Sequence, residues 1–189
     1  QFSAEGSRLK NRGERDVEEK TFKPVPDVEC LKYHGTPEKP DIKIFVSHRI
    51  DLDSETIDNP LYIPVRCGAV YDERENVDML GDDTGDNISE KRNSFCELTV
   101  LYWAWKNVKA DYYGLCHYRR YISFAKKSFR PKNDKSGFLV TDKLSKSNLK
   151  KFSLQNIEVM KEEILQHDLI TTPSENVYYA WDGKHSSMY

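Results

Sequence analysis

Two short apolar runs, separated by a helix-like stretch, do most to limit the folds open to this chain. The first is "IKIFVSHR", residues 42–49, and the second is "DYYGLCHYRRY", residues 111–121. Each is rich in β-formers and too short for a buried helix. Between them, "SFCELTVLYWAWKNV" repeats apolar residues at three- and four-residue spacing, which is the period of an amphipathic helix. Strands that alternate with helices predict an α/β domain with a largely parallel sheet.

The remaining segments fit that order. "YIPVRCGAVY", residues 62–71, is β-prone but broken by Pro64 and Gly68, so it is expected as an edge strand or an extended binding loop. "GDDTGDN", residues 81–87, is a tight polar turn. Ser94 and Glu97 have the spacing of a capping box for a helix of about residues 95–108. Its core stripe would be Phe95, Leu98, Leu101, Tyr102, Trp105 and Val108, with Trp103 off the stripe and free to flank a ligand or a neighbouring helix. The polar stretch from Lys126 to Lys151 reads as loop. Leu154, Ile157, Met160, Ile164 and Leu165 define a second amphipathic helix, and "DLITT" a short strand after it. Residues 1–40 are charged and punctuated by proline, with too little apolar surface to offset the entropy of ordering, so they are expected as a tail or linker. The ordered domain is expected over 41–189. A chain that starts at Gln1 rather than Met is expected to be processed, trimmed or partial.

In parallel α/β sheets, ligands bind beyond the carboxyl ends of the strands. Both apolar runs end in the same chemistry: Ser47, His48 and Arg49 after the first, His117, Arg119 and Arg120 after the second. Guanidinium groups offer forked donors that match phosphate oxygens, and imidazole can donate to the same oxygens. The pattern points to an anion site for a phosphate or diphosphate. The competing reading is that both strands simply surface into water, with Arg120 pairing the acidic turn. In that turn Asp82, Asp83, Asp86 and Asn87 are candidates to grip a ribose or base. A cation there is a weaker reading, because Gly85 stands fourth in the run rather than at the sixth place of an EF-hand loop. A plain turn before a capped helix also accounts for it.

Composition narrows the classes. Lys plus Arg is 29 against 31 Asp plus Glu, a formal charge of −2, which argues against a nucleic-acid partner. An RNA surface built on Arg119, Arg120, Tyr118 and Tyr121 has stacking aromatics beside cations in its favour and this balance against it. The four cysteines have no C-x-x-C pair and predict free thiols in a reducing compartment. No apolar run approaches the roughly 20 residues of a membrane span, and the N-terminus lacks a signal peptide's apolar core. Phosphate loops, dinucleotide fingerprints and zinc motifs are absent from the sequence.

The ordered series "GDDTGDNIS", "CELTVLYWAWKN" and "DYYGLCHYRRY" resembles the DUF4422 family of bacterial glycosyltransferase-like domains, found in capsular, exopolysaccharide and O-antigen biosynthesis proteins. The resemblance covers roughly residues 41–189. It implies a GT-A-like nucleotide-diphospho-sugar transferase fold, a mostly parallel sheet flanked by helices. It also implies a longer domain, so the chain is expected to hold the N-terminal, donor-binding part and to be incomplete at its C-terminus. GT-A enzymes place a metal-binding Asp-x-Asp motif at the end of the strand that follows the helix, whereas this chain has His117-Tyr118-Arg119-Arg120 there. The expectation is that Arg119 and Arg120 replace the metal at the diphosphate, with His117 beside them as a catalytic group. Ser47, His48, Arg49, Asp82, Asp83, Asp86 and Asn87 are expected to bind the donor. No cofactor is required by the sequence, and Mn²⁺ or Mg²⁺ at the donor diphosphate is compatible with it. The implied partners are a nucleotide-diphospho-sugar, a UDP-sugar first, and a saccharide acceptor on a growing surface polysaccharide. The implied location is the cytoplasm or the cytoplasmic face of the inner membrane, with peripheral association. A non-catalytic nucleotide-sugar or glycan-binding module is the rival reading.

Overall fold

The computed structural model describes residues 21–126, 141 and 143–171. Four strands form one parallel sheet: β1 (Ile42–His48), β2 (Tyr62–Arg66), β3 (Leu80–Gly81) and β4 (Tyr112–His117), in the order β3-β2-β1-β4. Four helices accompany it: α1 (Arg92–Phe95), α2 (Leu98–Asn107), α3 (Lys146–Lys151) and α4 (Ile157–Ile164). The α/β class and parallel sheet expected from the strand–helix alternation are what the chain adopts.

All seven residues of β1 are buried, as a central parallel strand covered on both faces requires. Their alternation divides the core. Ile42, Ile44 and Val46 face Leu149, Phe152, Leu154, Met160 and Ile164 from the α3–α4 side, while Phe45 faces Val100, Trp103 and Ala104 of α2. β2 is interior rather than an edge strand, since it pairs with both β1 and β3.

Helix α2 departs from the expected stripe. Trp103, expected off the stripe, is fully buried edge-on against Phe45, and its indole N–H donates to Thr84 Oγ1 at 3.0 Å. Phe95, Leu98 and Trp105 are exposed, Trp105 to 64%. The expected stripe is one face but it points outward, Phe95, Leu98, Leu101, Tyr102 and Trp105 lining an open apolar groove, while the Val100, Trp103 and Ala104 face packs on Phe45. Ahead of α2 the chain breaks at Cys96, whose φ of 47° ends α1. The Ser94 capping box is therefore absent, and the residue ahead of α2, Glu97, makes no side-chain cap bond.

Other expectations change in smaller ways. α3 lies inside the stretch read as loop; Ser145 caps it by accepting from Asn148 N, and Leu149 buries it. One buried leucine in six residues leaves no periodic signal. The second amphipathic helix is present as α4, capped by Asn156, although Leu165 is exposed. Residues 168–171 of "DLITT" form no strand, and Leu169 points outward at 78% exposure; Thr172 lies outside the described residues. Residues 21–40, expected as tail, lie against the domain. Lys23 bridges to Thr84, Val25 and Leu31 pack on the α2 side of the core, and the Tyr33 hydroxyl donates to Asp111.

Candidate functional site

The strand ends are locked side by side by main-chain bonds. Tyr118 N donates to Ser47 O at 3.0 Å, Cys67 N to His48 O at 2.8 Å, and Asp82 N to Arg66 O at 3.2 Å. Ser47 is in register with His117, and His48 with Arg66. The His- and Arg-bearing ends of β1 and β4 are thus brought together on one carboxyl edge. A tight turn, closed by Arg120 N to His117 O at 2.8 Å, then directs Arg119 and Arg120 outward.

His48 is almost wholly buried. Its Nδ1 shares a 2.6 Å hydrogen bond with Ser54 Oγ, and its Nε2 has no partner among the described residues. Burial, assisted by the nearby His117, lowers its pKa to about 4, so the ring is neutral at physiological pH. Tyr118 stands between the two imidazoles, its ring centroid 4.3 Å from that of His117 and 5.9 Å from that of His48. The Arg119 guanidinium sits 5.1 Å from the Tyr118 ring centre, a cation–π distance.

His117 is held from two directions. Its Nδ1 accepts the Arg119 backbone N–H at 3.2 Å, and its Nε2 lies 3.6 Å from Glu97 Oε1. Burial is the larger influence and lowers its pKa, the Glu97 carboxylate opposes this, and Arg120, Arg119 and Arg49 reinforce it.

Cations on this edge differ in their partners. Arg49 pairs with Asp51 through both Nε and Nη2, and this pairing holds the exposed Asp51 carboxyl down at about 2. Arg66 and Arg74 share Asp72, whose pKa they lower, Arg74 foremost. Arg119 and Arg120 are exposed and make no ion pair among the described residues, so Arg120 does not pair the acidic turn. Beside Arg49 an open cleft of about 400 Å³ is lined by residues 50–53 and 71–74.

The acidic turn is organised differently from the strand ends. Asp82 is fully buried and accepts from Gly68 N, Ala69 N, Ser89 Oγ and Thr99 Oγ1 at 2.5–3.0 Å. It joins the exits of β2 and β3 to α2. Gly68 is needed there, because its φ is +70° and a Cβ would collide with the Arg92 side chain. Asp83 pairs with Lys23 and Asp86 with Lys106, while Asn87 donates to Gly85 O. Asn107 closes the turn through Asp86 N and O. Asn107 ends α2, just before the chain enters β4, so Asp86 and Asn87 sit toward the opposite edge of the sheet from His117. Ser47, His48, Arg49, His117, Arg119 and Arg120 therefore share the edge, Asp82 ties its loops together from within, and Asp83, Asp86 and Asn87 lead away from it.

A divalent cation, which the GT-A resemblance implies, does not suit the donors at this edge. Hard cations take several oxygen ligands, and the end of β4 offers imidazole and guanidinium groups instead. Among the described residues, no group of three or more His, Cys, Asp or Glu side chains could hold a metal ion. Sequence reasoning did not single out Ser54, took Glu97 for a helix cap, and placed Tyr118 only in the RNA-surface reading. Glu97 was hidden because its spacing from Ser94 matches a cap.

Comparison with known proteins adds two findings. A family model described as "Domain of unknown function (DUF4422)" matches residues 43–188. Among solved structures, the chain is similar to the apo structure of the WbbM bifunctional glycosyltransferase, at 34% identity with a TM-score of 0.57, over 65% of this chain and 21% of that one. The chain thus spans about a fifth of the length of that protein. No curated protein matches.

Proposed function

The chain belongs to the DUF4422 family and has a glycosyltransferase-like fold, and from that premise we propose that it transfers a sugar from a nucleotide-diphospho-sugar, with the diphosphate at the carboxyl edge of β1 and β4. One observation carries this reading. Arg119 and Arg120 project from the end of β4 with no acidic partner among the described residues, whereas Arg49, Arg66 and Arg74 beside them are paired. Two unpaired guanidiniums at a ligand-binding sheet edge suit a diphosphate, and they supply positive charge without a metal.

The chemistry follows from charge. As the bond from the anomeric carbon to the diphosphate breaks, negative charge grows on the leaving oxygens. Fixed guanidiniums aimed at that charge favour the transition state over the ground state. Neutral His48 lies buried directly behind these guanidiniums, and His117 beside it turns its Nε2 toward Glu97. The cleft beside Arg49 offers room for the nucleoside, with the exposed Tyr71 ring on its wall. The acceptor in this reading is a saccharide, such as a growing surface polysaccharide, and a UDP-sugar is the first donor to test. Among the described residues no helix is long and apolar enough to cross a membrane. Peripheral association with the cytoplasmic face of the inner membrane belongs to the same reading.

Thermal unfolding with UDP-, GDP-, dTDP- and CMP-sugars, each with and without Mn²⁺, tests the reading. Stabilisation by one diphosphate-linked sugar, with nucleotide release, supports a transferase. Stabilisation without hydrolysis or transfer identifies a non-catalytic binding module. Indifference to every donor overturns the reading.

A further inference from the structure

Glu97 stands at the junction of α1 and α2. Cys96, just before it, adopts φ 47° and ψ −130°, a conformation that costs a residue other than glycine about 1–3 kcal/mol and that clusters at functional sites. The junction is held in place: Cys67 Sγ and the Thr99 backbone N–H both donate to Cys96 O, each at 3.2 Å. Its consequence is to release the Glu97 carboxylate from helix capping and set it 3.6 Å from His117 Nε2. The side chain keeps about a third of its surface exposed, at 35%.

The tautomer of His117 gives this contact a direction. A backbone amide can only donate, so the Arg119 N–H on Nδ1 leaves the proton of the neutral ring on Nε2. That proton faces Glu97. His117 therefore has no free lone pair to act as a base here, and its Nε2 side is turned toward the carboxylate at 3.6 Å, just beyond hydrogen-bond distance. Three other carboxylates near the edge are committed: Asp51 to Arg49, Asp72 to Arg66 and Arg74, and Asp82 to its four donors.

Resting on the donor-site reading above, we propose that Glu97 is the proton acceptor of the transfer and that His117 is the residue that positions it. As the acceptor hydroxyl oxygen bonds to the anomeric carbon, its proton passes to the Glu97 carboxylate. The bond from that carbon to the diphosphate breaks, and its electron pair leaves with the nucleoside diphosphate toward Arg119 and Arg120. The titratable and charged groups facing His117 are Glu97 from the helix junction, Arg119 and Arg120 from the end of β4, and His48 and Arg49 from the end of β1. Burial lowers its pKa, Glu97 opposes this, and the three arginines reinforce it.

The test uses the full chain, with UDP-glucose, UDP-galactose, GDP-mannose and dTDP-rhamnose as donors. Octyl β-glucoside, octyl β-galactoside and water serve as acceptors. Nucleotide release is followed across pH, and donor affinity is measured separately. Glu97→Gln is expected to bind the donor within about twofold of wild type and to lose roughly 10²–10⁴-fold in kcat, the usual worth of a general base. It also loses the acid limb of the kcat profile, and Glu97→Asp recovers part of the rate. A Glu97→Gln variant that turns over within threefold of wild type, or keeps the acid limb, overturns this inference while the donor site stands. A wild-type chain that binds a donor but releases nucleotide to no acceptor also overturns it. A wild-type chain that binds no nucleotide sugar overturns the donor site itself.

Discussion

Ser47 and His117 are register partners on adjacent parallel strands, joined one residue later by the Tyr118 N to Ser47 O hydrogen bond of 3.0 Å. This pairing brings His48 and Arg49 beside Tyr118, Arg119 and Arg120. Residues about 70 apart in the chain thereby form one basic edge.

If that edge receives a diphosphate, Arg119 and Arg120, which have no acidic partner among the described residues, matter to turnover rather than to folding. Arg119→Ala and Arg120→Ala are each expected to lower kcat/KM by about 10²–10³-fold, the usual cost of one charge-stabilising contact. Both are exposed, so their unfolding midpoints in urea should match wild type. Arg49→Ala should cost less, because that guanidinium already pairs with Asp51. Kinetics and urea unfolding on the same preparations check all three.

Buried His48 makes stability depend on pH. Its imidazole protonates near 6.5 in the unfolded chain and near 4 in the folded one. Between those values the unfolded state binds more protons, so acidification favours unfolding. The contribution is full above about pH 6.5 and falls as the pH drops toward 4, by up to about 1.4 kcal/mol per unit. His48→Gln should flatten that part of a stability–pH curve from urea titrations. A variant curve parallel to wild type between pH 4 and 6.5 would refute this assignment.

Asp82 acts from inside the fold. Asp82→Ala strands the Gly68 and Ala69 amides and two hydroxyls in a dry setting, at a cost of about 3 kcal/mol or more. Asp82→Asn should retain part of that loss. Chemical denaturation measures both.

The two tryptophans of α2 separate the expected helix phase from the observed one. Trp103→Ala should destabilise by about 3–5 kcal/mol, as for other buried aromatics, and Trp105→Ala by about 0.5 kcal/mol or less. The opposite ranking would put the expected stripe, rather than the Trp103 face, in the core.

These last two positions show what could be read in the chain and what could not. The strands of Ile42–Val46 and Tyr112–Cys116 were legible because their β-branched and aromatic runs have no competing helical period, and their parallel pairing followed from the helix between them. The break at Cys96 was not, because a positive φ at a cysteine has no local sequence signal. It depends on Cys67 and Thr99 gripping Cys96 O. The choice of face was not legible either: α2 has two apolar faces, and Val100, Trp103 and Ala104 pack on Phe45 while Leu98 and Trp105, with Phe95 before them, stay at the surface. The same break hid Glu97, whose spacing from Ser94 imitates a capping box. Asp82 likewise looks like any turn aspartate until its four donors, from β2's exit, a 3-10 turn and α2, are assembled around it.

The central claim is that Arg119 and Arg120, rather than a divalent cation, hold the diphosphate. Calorimetric titration of UDP, GDP and dTDP into the full chain in EDTA, with CMP as the monophosphate control, tests it most directly. The account predicts that at least one diphosphate binds without metal, that CMP binds far more weakly, and that Arg119→Ala/Arg120→Ala weakens the diphosphate tenfold or more. Binding that appears only when Mn²⁺ or Mg²⁺ is restored, or that is unchanged in the double variant, would contradict it.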